Sequence, residues 1–583
     1  NDAYGIPYTP EAYTEEEQRY LAPFFTNLDR PVFVVRNLPA EVKGALASRY
    51  SRSTKSLRTT FLNEYLNPIL HPEAQKDWSD LSGDERIEAE TTREALHDWI
   101  AFMETNGGLD SVVNIQRGRA FFEKWLAGYG DDSIAELGGE MVCLEGLSNV
   151  ATKEIQDQRI GLSPLEKSSR YVQFWEKRPD GEFQYIVPGE LRGTEYEAEY
   201  IEMMNDLFGT YAEIAEPYLD YIKERYPKEK DETEGSFKGS RSAKRFDDIR
   251  DLLPFATQTS MAMYGNGRAF EGLLNRLLDN PVGEVRWWGQ GILRELEKTV
   301  PSFVERPKTE RGAEAQVYRS NIGILREEMA QEIVGKLKPE SEPVRWAKLI
   351  SHTPDADIEV LTAFLFSSDQ DVTMSQIREE VASMTHDERT AQLRRIFAER
   401  NFGRDVPKRE VDRFRKVPRA FENAQYTFEL WGRGGDYRDL HRHRQLSQAR
   451  QRFTTRWGYD LEHEVLESPF AERIRGVLQR ASDLTRRLQD VSPDVAQYVV
   501  PFGFIQHWYM KMSAREIYWM IELRTGPQGR PHYREICQDI ARLATEASPG
   551  VFAGLLTDWE DYSLSRRESE KKIEKKLKAI SKK

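Results

Sequence analysis

Six pairs of residues recur along this chain at nearly fixed separations, and that regularity constrains the fold more than any other feature of the sequence. Glu136 and Glu422 lie 422 − 136 = 286 positions apart, and Arg159 and Arg444 lie 444 − 159 = 285 apart. Further along, Pro254 in DLLPFA pairs with Pro501 in YVVPFG and Arg268 with Arg515, both 247 apart; Arg276 pairs with Arg524 and Arg286 with Arg534, both 248 apart. Constancy within each block is what a tandem duplication predicts, and the drop of about 38 between blocks predicts an insertion in the first copy. Residues 221–246, YIKERYPKEKDETEGSFKGSRSAKRF, are dense in Lys, Glu, Gly and Ser and read as that insertion, a solvent loop.

The copies are placed at residues 1–310 and 311–583, joined in the polar ERPKTERGAEAQ, with a charged tail or frayed helix at 565–583. In the first copy, Ile134, Leu137, Met141, Leu144, Leu147 and Val150 recur at steps of three and four, which predicts an amphipathic helix over 133–159 opened by a Ser133/Glu136 capping box. A second helical stretch is expected from Arg250 to Leu296. Strand candidates PVFVVRNL and WAKLISHT precede the long helices of each half, so the expected class is α/β: two tandem copies of a mixed domain of sheet plus long helices.

A chain of 583 residues is long for a single core, which agrees with two domains. Its net charge of −14 argues against a broad nucleic-acid surface, although a local anion site is allowed. The two cysteines, Cys143 and Cys537, stand in no metal-like spacing and point to a reducing, cytoplasmic setting. No apolar run approaches the roughly 20 residues of a membrane span, and the N-terminal residues lack the pattern of a secretory leader.

The basic stretch HRHRQLSQARQRF, 441–453, gathers four arginines and two histidines in an acidic chain. It contains the triplet Arg442, His443, Arg444. At the aligned place the first copy reads Asp157, Gln158, Arg159, followed by EKSSRYV with Ser168, Arg170 and Tyr171. These motifs resemble the flavin-dependent thymidylate synthases, whose hallmark is an R-H-R triplet, seven residues and a serine in S-x-R-Y. The second copy has Arg452 where that serine belongs, so each half keeps what the other lost. The family's R-x-x-L-P resembles Arg250 to Pro254, with Gln497 replacing the arginine in the second copy. Its N-x-R resembles Asn266 and Arg268, and then Ser513 and Arg515. Its L-R arginine resembles Arg276 and Arg524, with Asn275 in place of the leucine in the first copy.

The resemblance implies that dUMP is held by Glu166, Ser168, Arg170, Tyr171, Arg250 and Arg276, with Ser168 a nucleotide ligand rather than a nucleophile. Guanidinium forks suit a phosphate dianion, and Arg276 is the candidate for steadying charge on the pyrimidine carbonyl. It implies FAD on Arg442, His443, Arg444, Ser513 and Arg515, with Asn266 and Arg268 as first-copy counterparts, and NADPH and methylenetetrahydrofolate as co-substrates. The implied reaction is reductive methylation of dUMP at C5. Family sites assemble from several subunits, so a fused duplicate implies a homodimer built as a pseudo-tetramer with hybrid sites.

Departures leave two alternatives open. Asp131 stands for a family histidine, Asn149 for an arginine, and Asp157 and Gln158 for two thirds of the triplet. The alternatives are a repurposed flavin enzyme acting at C5 of a pyrimidine nucleotide and a catalytically silent nucleotide- or flavin-binding protein. No metal is expected, because His441 and His443 point apart on a helix. Cys143 is expected to pack mid-helix as a core thiol, and Trp287 and Trp288 to serve packing.

Overall fold

A computed structural model describes residues 4–75, 78–106, 115–122, 124, 132–169, 172–340, 346–368, 371–400, 413–562, 564, 567 and 571. The chain forms two compact units, and neither is contiguous. The first takes Asn1–Phe208, Pro254–Lys338 and Leu488–Val499; the second takes Gly209–Leu253, Pro339–Arg487 and Val500–Lys583. Along the chain the join thus falls after Lys338. Each unit also includes a segment from the other sequence half, and the two segments end at repeat-equivalent positions, 253 and 499 to 500.

In the first unit, β1 (Val32–Val35), β2 (Gly139–Ser148), β3 (Leu162–Glu166) and β4 (Gln258–Asn266) form an antiparallel sheet in the order β1-β2-β4-β3. In the second, β5 (Ala347–His352), β6 (Gln425–Arg433), β7 (Ser447–Arg450) and β8 (Ile505–Ser513) repeat it as β5-β6-β8-β7. The strand starts keep the sequence offsets: 425 − 139 = 286, 447 − 162 = 285 and 505 − 258 = 247. So do the helices that follow β4 and β8, Gly267–Leu277 and Ala514–Arg524, with 514 − 267 = 247. The change from 286 to 285 has a structural cause. β2 bulges between Glu145 and Leu147, where Gly146 adopts φ 88°, whereas β6 runs opposite β8 without a bulge.

The two expected strands are present as β1 and β5. The expected helix over 133–159 is not: a short 3-10 turn at Asp132–Glu136 leads into β2, and only Asn149–Gln156 is helical. β2 is a central strand buried on both faces, so its apolar residues run together, and such a run also satisfies a three-and-four spacing. Leu137, counted on the helical stripe, is 89% exposed. The helix is capped not by Ser133 but by Ser148, whose hydroxyl accepts from the Ala151 amide at 3.0 Å. Cys143 accordingly sits mid-strand rather than mid-helix, in the core, where burial raises its thiol pKa. The stretch from Arg250 to Leu296 is likewise interrupted by β4, before helices Gly267–Leu277 and Gly283–Leu296.

The expected loop at 221–246 is mostly helical, the end of Glu197–Arg225 and most of Glu234–Ile249. Its charges are buried and matched. In the second unit, the fully buried Arg241 donates to Glu232 at 3.0 Å and to the Tyr226 and Pro227 carbonyls at 3.0 and 2.9 Å. Composition signals solvent only when charges lack partners. Of the tail, Arg567 and Lys571 are described; both bond to Glu229, Lys571 at 2.8 Å. Residues 572–583 lie outside the described set. No described helix is long and apolar enough to cross a membrane.

Candidate functional site

In the first unit the nucleotide motif begins at the end of β3. The Glu166 side chain is 1% exposed and receives Lys153 Nζ at 3.0 Å, with Lys153 completely buried; Gln156 Nε2 donates to the same oxygen at 3.3 Å. A carboxylate held this way is committed to a buried partner. Ser168 is part-buried and its amide donates to the Ser51 carbonyl at 2.9 Å. Arg170 and Tyr171 lie outside the described residues, as does Asp131. Arg276, near the C-terminus of Gly267–Leu277, faces Asp157 at 3.7 Å, both about a quarter exposed.

In the second unit the triplet follows the helix Gly434–Leu440. His443 is buried; its Nδ1 lies 2.8 Å from Glu516 Oε1, and Arg524 Nε donates to its Nε2 at 3.1 Å. Since Nε2 accepts, the ring is neutral with its proton on Nδ1. Burial first, then the Arg524 charge, lowers the His443 pKa against the pull of Glu516. The sign follows: unfolding raises proton affinity, so the unfolded chain binds more protons as pH falls below roughly 6.5, and folding stability declines there. Urea unfolding at two pH values is expected to show this slope, and His443→Gln to flatten it.

Arg442 and Arg444 flank His443 on the exposed side. Arg442 is 4.0 Å from Asp439, and the opposite oxygen of Asp439 meets Arg250 Nη2 at 3.4 Å. Arg250, a first-copy residue, is buried in the second unit, also 3.9 Å from Asp247. An anion reaching Arg250 has to compete with these carboxylates.

The N-x-R positions serve the same local purpose in both units. Asn266 caps Gly267–Leu277 and Ser513 caps Ala514–Arg524, accepting from the Ala269 amide at 2.8 Å and the Glu516 amide at 3.2 Å. Two residues on, Arg268 pairs with Glu136 at 2.7 Å and Arg515 with Glu422 at 3.1 Å. The four residues joined by the sequence offsets thus form one ion pair in each unit.

The copies differ in charge. In the first, Asp157 stands where Arg442 stands in the second and lies 3.7 Å from Arg276; in the second, Arg524 contacts the buried His443, and the adjoining Arg442 and Arg444 are exposed. That cationic set suits the phosphates of a dinucleotide cofactor and charge on a reduced flavin. Sequence reasoning missed Glu516, Asp439 and Lys153. The repeat carries a signal for two of them: copy one has Gln158 and Ala269 where copy two pairs His443 with Glu516, and copy two has Arg438 and Gln451 where copy one pairs Lys153 with Glu166. Among the described residues no cluster could hold a metal ion. Trp288 packs fully buried, its Nε1 donating to Glu284 at 2.9 Å.

The family model described as thymidylate synthase complementing protein matches residues 75–302 and 348–550, one segment in each copy. A UPF0159 protein of Chlamydia muridarum is 32% identical over 562 residues, covering 96% of this chain and 98% of its own length. A UPF0159 protein of Chlamydia pneumoniae is 31% identical over 568 residues, covering 97% and 98%. A solved structure described as a UMP/dUMP methylase, PolB from Streptomyces cacaoi bound with 5-Br dUMP, shares 16% identity at a TM-score of 0.27, covering 36% of this chain and 93% of that one.

Proposed function

The chain belongs to the thymidylate synthase complementing protein family, and from that premise we propose that it catalyses flavin-dependent reductive methylation of dUMP at C5 to dTMP. Methylenetetrahydrofolate is the proposed carbon donor and NADPH the reductant. Bound FAD, once reduced by NADPH, would supply the hydride. Arg442, His443, Arg444, Ser513 and Arg515 are the proposed cofactor residues; Glu166, Ser168, Arg170, Tyr171, Arg250 and Arg276 are the proposed nucleotide residues.

The observation that carries the hybrid reading is the place of Arg250. This first-copy motif residue shares Asp439 with Arg442 of the second-copy triplet inside one compact unit. Two decayed motif sets then complement one another in a homodimer acting as a pseudo-tetramer. The helix Glu310–Val334 supports self-association by leaving Val317, Tyr318, Ile324 and Ile333 exposed.

A second reading, a different modification at C5 of a pyrimidine nucleotide, is favoured by one observation: Asp157 occupies the arginine proposed to steady the pyrimidine carbonyl. The purified protein is expected to be yellow and to release dTMP when incubated anaerobically with dUMP, NADPH and methylenetetrahydrofolate. A yellow protein that consumes NADPH with dUMP but forms another product supports the second reading. A colourless protein that takes up no FAD refutes both and leaves a nucleotide-binding role.

A further inference from the structure

The segment that carries the nucleotide motif has a second face. Glu166 and Lys167 are consecutive on extended chain, so their side chains leave in opposite directions. Glu166 turns to Lys153 and Gln156, whereas Lys167 Nζ donates to the Lys55 carbonyl at 2.9 Å and the Thr54 carbonyl at 3.4 Å and lies 4.4 Å from the Tyr50 ring centre. On the Lys167 side, within the first unit, lies a cavity of about 310 Å³ whose lining includes Lys167, Lys177, Arg178, Phe174, Thr259 and Ser260.

The second unit fills the equivalent place. Glu145 and Ser260 are cross-strand partners on β2 and β4, and their repeat counterparts on β6 and β8 are the partners Trp431 and His507. Those two rings stack at 4.9 Å, and Trp457 packs against Trp431 at 6.2 Å. The first unit's cavity is polar, with Lys167, Lys177, Arg178 and Ser260 in its lining.

Charge selects the ligand. Glu145 is occupied by Tyr8, Tyr50 and the Leu57 amide, each at 3.2 Å, and Glu11 by Tyr13 at 2.9 Å and the Ser56 amide at 3.1 Å. Arg178 shares its charge with Asp180 at 3.1 Å. Lys167 and Lys177 lie in no ion pair with these acids, and an ammonium carries three donors, of which the two carbonyls use two on Lys167. We infer that this cavity binds a small oxyanion, a carboxylate or a phosphate monoester, with the remaining donor of Lys167 directed at it. The site is independent of the nucleotide reading. Burial holds the Lys167 ammonium down to about 8 against the attraction of Glu145 and Glu11, and a bound anion would restore its charge.

The test is amine acetylation of the full chain, with the rate at Lys167 followed by peptide mass spectrometry in the presence of inorganic phosphate or succinate. Acetylation of Lys167 is expected to slow about fivefold at saturation with at least one of the two, since a buried charge-assisted contact shields the amine. Lys238, an exposed lysine, should be unaffected. Protection by phosphate alone assigns a phosphate ligand, and protection by succinate alone a carboxylate. Ser260→His, which copies the residue of the second unit, should abolish protection. Lack of protection by either anion, equal slowing at Lys238, or full protection retained in Ser260→His overturns the inference.

Discussion

Replacing Arg530 by methionine is expected to destabilise the second unit by about 3–5 kcal/mol, the cost of leaving buried carboxylates without their cation. Arg530 is completely buried. Its two Nη atoms both bond to Asp251, Nη1 at 3.0 Å, its Nε donates to Glu462 at 3.1 Å, and Asp436 lies 3.9 Å away. Burial alone would push Asp251 far up, and Arg530 and then Arg433, 3.4 Å from it, pull it back; Arg530 is itself held well above its ordinary value. With methionine in place, Asp251 and Glu462 are left to Arg433 and Asp436 to His532. Urea denaturation followed by a second-unit probe such as the Trp431 and Trp457 fluorescence should show the loss. A loss below about 1 kcal/mol would mean that water or relaxation compensates the carboxylates. Adding Asp251→Asn should recover part of the loss, because the two sites share one network and cannot be additive.

What the sequence made legible about the fold is the repeat. Equal offsets between single residues locate equivalent strands, caps and ion pairs because duplicated cores must keep their spacing even as their chemistry drifts. The Glu136–Arg268 and Glu422–Arg515 ion pairs join residues that the offsets match only as counterparts between the copies, and the one-residue slip at Gly146 is recorded in the same offsets. Periodicity served less well. β2 and β4 are central strands with little polar alternation, so helix and strand templates fit them equally, and the bordering residues give no arbiter. Residues 221–246 misled for the opposite reason, since Arg241 and Glu232 satisfy one another inside the unit while reading as solvated charge.

At the site, the sequence marked which residues matter but not which are already engaged. Glu166 looks like an open ligand until Lys153 is seen against it, and Arg250 until Asp439 is. Such engagements join residues of different elements, and a spacing rule within one motif cannot register them. Comparing the copies can. Positions that change together between the halves, such as Gln158 with Ala269 against His443 with Glu516, mark contacts.

These engagements differ in strength, and that difference sets the largest expected functional effect. The Asp157–Arg276 pair is about a quarter exposed and separated by 3.7 Å, so it is worth at most about 1 kcal/mol and a dianionic nucleotide can displace it. Arg444 is exposed and belongs to the proposed cofactor set. Arg444→Ala is therefore expected to weaken FAD retention by about 10- to 100-fold, the range for losing a charged hydrogen-bond donor, and to give a colourless preparation that still binds dUMP. Arg276→Ala should do the reverse, keeping the flavin colour while weakening dUMP by a similar factor. Asp157→Ala frees Arg276 and should tighten dUMP a few-fold without changing the flavin spectrum. Flavin absorbance after gel filtration and dUMP titration calorimetry separate the two losses. Equal loss of both ligands in either arginine variant would refute a division of labour between the copies, and weaker dUMP binding in Asp157→Ala would mean that Asp157 orients Arg276 rather than blocking it.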